Sequence, residues 1–366
     1  MTRAFEVRVL GATGAVGQRF VALLAGHPWF RLTWLGASGR SAGRRYREAA
    51  PWRLDGTVPD EVADRRVEEA RPGHAPRLVF SALDASVAGE IEEAFAAAGH
   101  LVVSNARNHR MHDAVPLLVP EVNADHLALL DGQAAQGWTG GIVTNPNCST
   151  VFLSMALAPL RTFGLRRAVV TTLQAVSGAG YPGLPSLDIL GNVIPFIAGE
   201  EDKIERETPR ILGSLDGARV TPHAVAVSAH TTRVPVVDGH TEMLSVEFDR
   251  APARDDLVAA LSGFSGLPQL LGLPSAPAQP LVVLDEEHRP QPRLDAGRSG
   301  GMAVSVGRIR PCPVLDWKLV VLGHNTIRGA AGAAILNAEL MVAQGRLDRT
   351  LAATGVAQPE WRGLLA

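Results

Sequence analysis

Through roughly the first 150 residues, short apolar runs alternate with stretches whose apolar positions recur every three to four residues. EVRVLG (6–11) predicts a buried strand, GAVGQRFVALLAGH a helix, FRLTWLGAS a second strand and RLVFSAL (77–83) a further one. ASVAGEIEEAFAAAGH (85–100) has helical spacing, LVVSNA reads as a strand, and GGIVTNPN (140–147) leads into a helix that begins near Cys148. Strands that alternate with helices imply parallel pairing through crossovers, hence an α/β, doubly wound nucleotide-binding domain of the Rossmann type.

From about residue 165 the texture changes. RRAVVTTLQAVS, ARVTPHAVAVSA, TTRVPVVD and TEMLSVEFD are β-rich runs close together in sequence, which predicts an α+β domain with a largely antiparallel sheet. SGFSGLPQLLGLPSAPAQP (262–280), rich in Pro, Gly and Ser, predicts a surface connection. After the strand WKLVVLG, small residues on a helical period in IRGAAGAAILNAELMVAQG predict a close-packing helix able to return to the first domain.

Composition narrows the function classes. The 366 residues suit two domains, and 46% apolar with 20% charged residues suits a soluble globular protein of the cytoplasm. With 35 basic and 37 acidic residues the net charge is −2, so the expected partner is a small molecule, not nucleic acid or membrane. The two cysteines, Cys148 and Cys312, lie in unlike contexts without CxxC or His/Cys spacing, so neither a disulfide framework nor a metal site is expected. Lysine survives only at Lys203 and Lys318, every other basic residue being arginine. Each remaining lysine therefore invites a specific role.

Candidate chemistry falls at a few places. GATGAVG (11–17) between a strand and a helix can hold a pyrophosphate on backbone N–H groups and the positive helix end, although a tight turn without ligand has the same pattern. After the next strand, where an acidic residue would bind the ribose of NAD, stand Ser38, Arg40 and Ser41, which suit a 2′-phosphate and so NADP. Cys148, after a strand and opening an apolar helix, sees a helix dipole that lowers thiol pKa values, and is a nucleophile unless it is a buried structural cysteine. Arg233 and His240 are separated by the Asp238-Gly239 turn, which lets both face one pocket; Arg offers a fork to carboxylate, and His moves protons. GEEDKIERET (199–208) is either a solvated charged helix or, through Lys203 beside Glu200, a paired cation and carboxylate site.

GATGAVGQRF, ASGRSAG, SALDASVAGEIE, SNARNHRMHDAVPLLVPEVN, NPNCST, QAVSGAGYPG, GEEDKIERET, RVPVVDGHTE and GHNTIRGAAG together resemble the aspartate-semialdehyde dehydrogenase family, in its archaeal and fungal branch, from residue 11 to about 338. The resemblance implies an NADP-binding domain of residues 1–147 and 331–366 and a catalytic and dimerisation domain of 148–330, assembled as a homodimer or homotetramer. It implies Cys148 as nucleophile, His240 as general acid/base and Gln174 as an orienting polar residue. Arg233 would grip the substrate α-carboxylate, Glu200 its amino group, and Lys203 and Arg110 its phosphate. Gly11, Thr13, Gly14, Ala15, Val16, Ser38, Arg40, Ser41, Ser81, Ser177, Gly178 and Asn325 would contact NADP. The reaction implied is reduction of β-aspartyl phosphate through a Cys148 thioester, with backbone N–H groups at Asn147 and Cys148 holding the oxyanion. A malonyl-CoA or succinyl-CoA reductase, or a non-catalytic NADP-binding sensor, is the alternative.

Overall fold

Six parallel strands form the first sheet: β1 (Phe5–Leu10), β2 (Phe30–Ala37), β3 (Glu68–Glu69), β4 (Leu78–Ser81), β5 (Leu101–Ser104) and β6 (Gly141–Thr144), in the order β3-β2-β1-β4-β5-β6. The computed structural model describes residues 4–73 and 76–347. Every residue of β4, β5 and β6 is buried, as the unbroken apolar runs require of strands covered on both faces. Strand order reverses direction between β1 and β4, the switch point at which doubly wound sheets bind nucleotides. There the chain turns through Gly11 (φ 71°) into α1 (Ala15–Leu24). A Cβ on Gly11 would lie 2.5 Å from the Ala82 carbonyl oxygen, and one on Gly17 would lie 2.1 Å from that of Gly11, so only glycine closes this turn. Helix α2 (Ala85–Ala97), capped by Asp84, covers the other face.

Helix α3 (Cys148–Leu157) links the layers, and all its residues after Cys148 are buried, which explains an apolar sequence with no polar face. The second sheet contains β7 (Leu165–Gln174), and the chain then passes through α4 (Glu200–Ile211) and a hairpin of β8 (Ser214–Asp216) and β9 (Arg219–Thr221) to β10 (Ala226–Arg233). β11 (His240–Phe248), β12 (Leu281–Leu284), β13 (Val304–Pro311) and β14 (Trp317–Gly323) complete the order β10-β7-β11-β14-β13-β12. Its centre is antiparallel as expected, but both edge pairs, β10 with β7 and β12 with β13, are parallel. The runs ARVTPHAVAVSA and TTRVPVVD are therefore not two successive antiparallel strands: β10 takes the end of the first and the start of the second. The helical crossover between β7 and β10 supplies the length that a parallel pairing needs.

The segment 262–280 is more than a surface connection. Leu273 is buried in the first core, and the Ser275 hydroxyl donates to Glu339 Oε1 at 2.6 Å. Glu339 lies on the expected return helix, α5 (Gly332–Ala343), whose Ile335 and Leu336 share that core with Val7, Phe20 and Phe80. The turn before α5 carries Arg328, paired through both terminal nitrogens with Glu121, and neither side chain reaches solvent. The domain boundary expected near 331–366 extends into residues 348–366, which lie outside the described residues.

Removing one member of the Arg328–Glu121 pair leaves the other charge buried without a counterion. Arg328→Met is expected to lower unfolding stability by about 3–5 kcal/mol. The double variant Arg328→Met, Glu121→Leu should recover much of that loss. Urea-unfolding midpoints measure both, and equal stabilities of the single and double variants would remove the assigned cause.

Candidate active site

Three neighbouring strand ends place the polar residues of the second domain. Arg233 ends β10 in register with Gln174, which ends β7, and His240 begins β11, where Thr241 lies opposite Leu173. Arg233 and His240 thus flank β7 instead of facing each other across a hairpin, and the turn through Gly239 (φ 98°) returns the chain past β7. Arg233 Nη1 donates to the Ala175 carbonyl at 2.8 Å, while the Ala175 N–H donates to His240 Nδ1 at 3.0 Å. One peptide segment therefore orients both groups. Gly178 packs beneath them: a Cβ there would lie 2.7 Å from Arg233 Nη1 and 3.0 Å from His240 Nε2.

With Nδ1 accepting a backbone N–H, His240 carries its proton on Nε2, which is buried and has no partner among the described residues. Burial, then the Arg233 cation, push its pKa down to about 3, with Glu200 opposing and His324 assisting. The imidazole is neutral at physiological pH and presents a donor.

Asn147 organises the helix that begins at Cys148. Its Oδ1 accepts the Ser149 N–H at 3.0 Å and the Thr150 N–H at 3.3 Å, its Nδ2 donates to Glu200 Oε1 at 2.6 Å, and its backbone N–H donates to Glu207 Oε2 at 2.6 Å. Lys203 Nζ donates to Glu200 Oε2 at 2.8 Å, and Arg110 Nη1 to Glu207 Oε1 at 3.0 Å. Burial opposes ionisation of Glu200, but Lys203, Asn147 and Gln174 outweigh it and hold the pKa below the ordinary carboxylate value. The charged sequence 199–208 therefore forms a site-facing helix and not a solvated one: Glu200, Ile204 and Glu207 are all buried.

Two expectations change here. The thiol of partly exposed Cys148 is not lowered: burial, then the Glu200 carboxylate, push it up to about 12, against Arg110, the Ser149 N–H and Arg233. Desolvation and a nearby anion outweigh the helix end. The Asn147 N–H is also spent on Glu207, and the Ser149 and Thr150 amides on Asn147 itself. The Cys148 N–H is the first-turn amide that none of these acceptors takes.

At the switch point Thr13, Ala15 and Val16 are half-buried around exposed Gly14, at a helix end with no acidic residue in its first turn. Ser38 and Arg40 are exposed beyond β2, and the Ser41 N–H donates to the Ser38 carbonyl at 2.9 Å. The closed Gly11/Gly17 turn and this cation with two hydroxyls fit a dinucleotide bearing a 2′-phosphate. Ser81 is buried, with its hydroxyl beside Glu92, whose carboxyl burial pushes up to about 7 against the Ser81 and Ser104 hydroxyls. Asn325 donates to the Ser177 hydroxyl at 2.7 Å and accepts the Gly239 N–H at 2.8 Å, tying the candidate cofactor residues to the turn before His240. Sequence reasoning gave Glu207 no place of its own in the site, although its seven-residue spacing from Glu200 puts both on one helical face. Asn147 was read for its backbone only, although its side chain does as much.

The chain matches the family model "Semialdehyde dehydrogenase, NAD binding domain" over residues 6–130 and "Semialdehyde dehydrogenase, dimerisation domain" over 157–328. It is 50% identical over 340 residues to an aspartate-semialdehyde dehydrogenase of Archaeoglobus fulgidus, covering 92% of this chain and 98% of that one. One from Cryptococcus neoformans is 52% identical over 359 residues, covering 94% and 98%. Of solved structures, aspartate semialdehyde dehydrogenase with NADP from Candida albicans is similar at TM-score 0.87 and 46% identity, covering 93% of this chain and 99% of that one. Aspartate semialdehyde dehydrogenase II complexed with ASA from Vibrio cholerae is similar at TM-score 0.74 and 26% identity, covering 93% and 99%.

A thiol kept protonated by burial and, next, by a neighbouring anion makes a direct test possible. Its thiolate fraction grows as pH rises towards the raised pKa, so lowering that pKa speeds alkylation at any fixed pH below it. Glu200→Gln should therefore accelerate iodoacetamide labelling of Cys148 relative to Cys312, which sits at the opposite end of the second sheet and serves as an internal reference. Peptide mass spectrometry reads the ratio, and an unchanged or smaller ratio would remove Glu200 as a cause. Separately, Arg40→Asp should cut the preference for NADPH over NADH by about 10- to 150-fold, the equivalent of one charge-assisted contact of about 1.5–3 kcal/mol. Unchanged selectivity would move the 2′-phosphate site elsewhere.

Proposed function

Because the chain belongs to the aspartate-semialdehyde dehydrogenase family, we propose that its site reduces β-aspartyl phosphate to aspartate semialdehyde with NADPH, through a Cys148 thioester. The observation that supports this substrate best is the alternation of charge around the thiol: Glu200 with Lys203, Glu207 with Arg110, and Arg233 at the adjacent strand end. A β-aspartyl phosphate carries an ammonium, an α-carboxylate and a phosphate. Glu200 suits the first, Arg233 the second, and Lys203 with Arg110 the third. In the free protein Glu200 and Lys203 neutralise each other, and the substrate's ammonium and phosphate replace that internal pairing with two of the same kind.

Chemistry follows from these positions. The Cys148 sulfur attacks the acyl carbon and gives up its proton to the leaving phosphate as the bond from the acyl carbon to the phosphate oxygen breaks, so hydrogen phosphate departs against Lys203 and Arg110. The carbonyl oxygen gains charge in this step and in the next. His240 Nε2–H and the Cys148 N–H are the donors left to meet it. NADPH, when bound by the Gly11–Gly17 turn and the residues after β2, supplies a hydride for the thioester carbon. Collapse of the resulting oxyanion expels the Cys148 thiolate and releases the aldehyde, so His240 can remain neutral and act by donation. This narrows the acid/base role expected of it. Gln174, beside Glu200, orients the carboxylate that faces the amine.

The reading includes a division into an NADP-binding unit, 1–147 with 331–366, and a catalytic unit, 148–330, in a homodimer or homotetramer. The second family model's description as a dimerisation domain supports assembly, as do the exposed Val169 and Met243 on neighbouring strands of the second sheet. It also includes a cytoplasmic location, where NADPH is available. No helix among the described residues is long and apolar enough to cross a membrane.

Steady-state assays on β-aspartyl phosphate and malonyl-CoA, with three variants, test the assignment. Cys148→Ala should abolish turnover and leave NADP binding nearly intact. Arg233→Leu should lower kcat/KM at least about a hundredfold, roughly 3 kcal/mol of lost charged contact. Glu200→Gln should also be harmful, because the substrate ammonium loses its counterion. A CoA thioester has no such amine, so tolerance of Glu200→Gln with retained malonyl-CoA reduction would favour the CoA-reductase alternative.

A further inference from the structure

Glu207 is 2% exposed and belongs to no role assigned above, yet both of its oxygens are engaged at the site. Oε1 accepts Arg110 Nη1 at 3.0 Å and Oε2 accepts the Asn147 N–H at 2.6 Å. We propose that Glu207 is a positioning residue for the reaction: one carboxylate sets both the guanidinium that takes the phosphate and the backbone that leads into the nucleophile. The inference rests on the proposed acyl-phosphate reaction and on Arg110 as a phosphate ligand.

The geometry gives the reason. Arg110 follows β5 on an irregular loop, and its Nη2 donates to a neutral anchor, the Asn105 carbonyl, at 2.9 Å. A guanidinium held only there could pivot about that bond. The Glu207 carboxylate fixes a second edge of the fork and balances its charge, so the remaining N–H directions are aimed before phosphate arrives. On its other side the same carboxylate fixes Asn147, whose side chain caps α3 and meets Glu200. Phosphate ligand and thiol are thereby referred to one atom group on α4. The flanking Ile204 and Ile211 are fully buried in the second core, so the helix carrying Glu207 is itself rigidly seated.

An isosteric amide isolates this role. In Glu207→Gln one oxygen can still accept the Asn147 N–H, but the amide NH2 then confronts the Arg110 guanidinium, donor against donor. In the oxidative direction, with aspartate semialdehyde, NADP+ and inorganic phosphate, the KM for phosphate should rise about tenfold or more. The KM for NADP+ should stay within about twofold, and kcat should fall by less than the phosphate KM rises. In an Arg110→Ala background the same change should raise the phosphate KM no further. A merely structural role would lower thermal stability and kcat without this selectivity or this non-additivity. Glu207→Asp, which keeps the charge and shortens the reach, should show the same selectivity at smaller size, and it carries the test if the amide variant does not fold. A phosphate KM unchanged in both Glu207 variants, or effects that multiply with Arg110→Ala, would overturn the inference alone. A wild-type protein whose turnover is independent of phosphate would overturn the proposed reaction, and this inference with it.

Discussion

Asn147 is held from three directions, by the amides of the helix it caps, by Glu200 and by Glu207. An N-cap alone is worth about 0.5–2 kcal/mol, and hydrogen bonds to charged groups about 1.5–3 each. Here they converge on the residue immediately before Cys148. The position of Cys148 is therefore set by α4, an element of the second domain, as much as by the strand that precedes it. A displacement of α4 would move Asn147 together with Glu200, Lys203 and Glu207, which keeps their spacing constant.

The same arrangement favours the protonated form of the thiol. In a partly desolvated pocket, a carboxylate near Cys148 favours the protonated sulfur, and the arginines only partly compensate. His240 cannot relieve this, because the one nitrogen able to take a proton already accepts the Ala175 amide. In the proposed reaction, charges that the substrate brings to Glu200, Lys203 and the arginines would shift that balance. Alkylation and oxidation both require thiolate, so each is slowed as long as Cys148 keeps its proton.

Much of this was legible in the sequence where local pattern decides the outcome. Unbroken apolar runs located β4, β5 and β6, and Gly11 with Gly17 announced a turn that no larger residue could close. The start of α3 at Cys148 followed from the strand and polar segment before it. What failed was non-local. Whether β10 pairs parallel or antiparallel with β7 depends on the route through α4, and no periodicity within β10 records it. The thiol's environment failed for the same reason: its helix end is visible in NPNCST, but Glu200 is 52 positions later and reaches it only through folding. Glu207 was legible in part, since helical spacing aligns it with Glu200, but its partners Arg110 and Asn147 come from two other segments.

The second sheet shows why such distant segments meet. β7 ends in Gln174 between the end of β10 and the start of β11, so a parallel and an antiparallel neighbour deliver Arg233 and His240 to the same edge. Had β10 and β11 formed a simple hairpin, both residues would stand at its turn with no strand end between them, and Ala175 could not bond to each. The parallel edge that sequence reading did not foresee is thus the feature that lets one peptide orient both Arg233 and His240. Asn325, after β14, closes the other side by accepting the Gly239 amide while donating to Ser177. Catalytic geometry here is a property of strand order: adjacent ends place the polar groups, and the backbone between them, with its own N–H and carbonyl, fixes the tautomer and aim of what they carry.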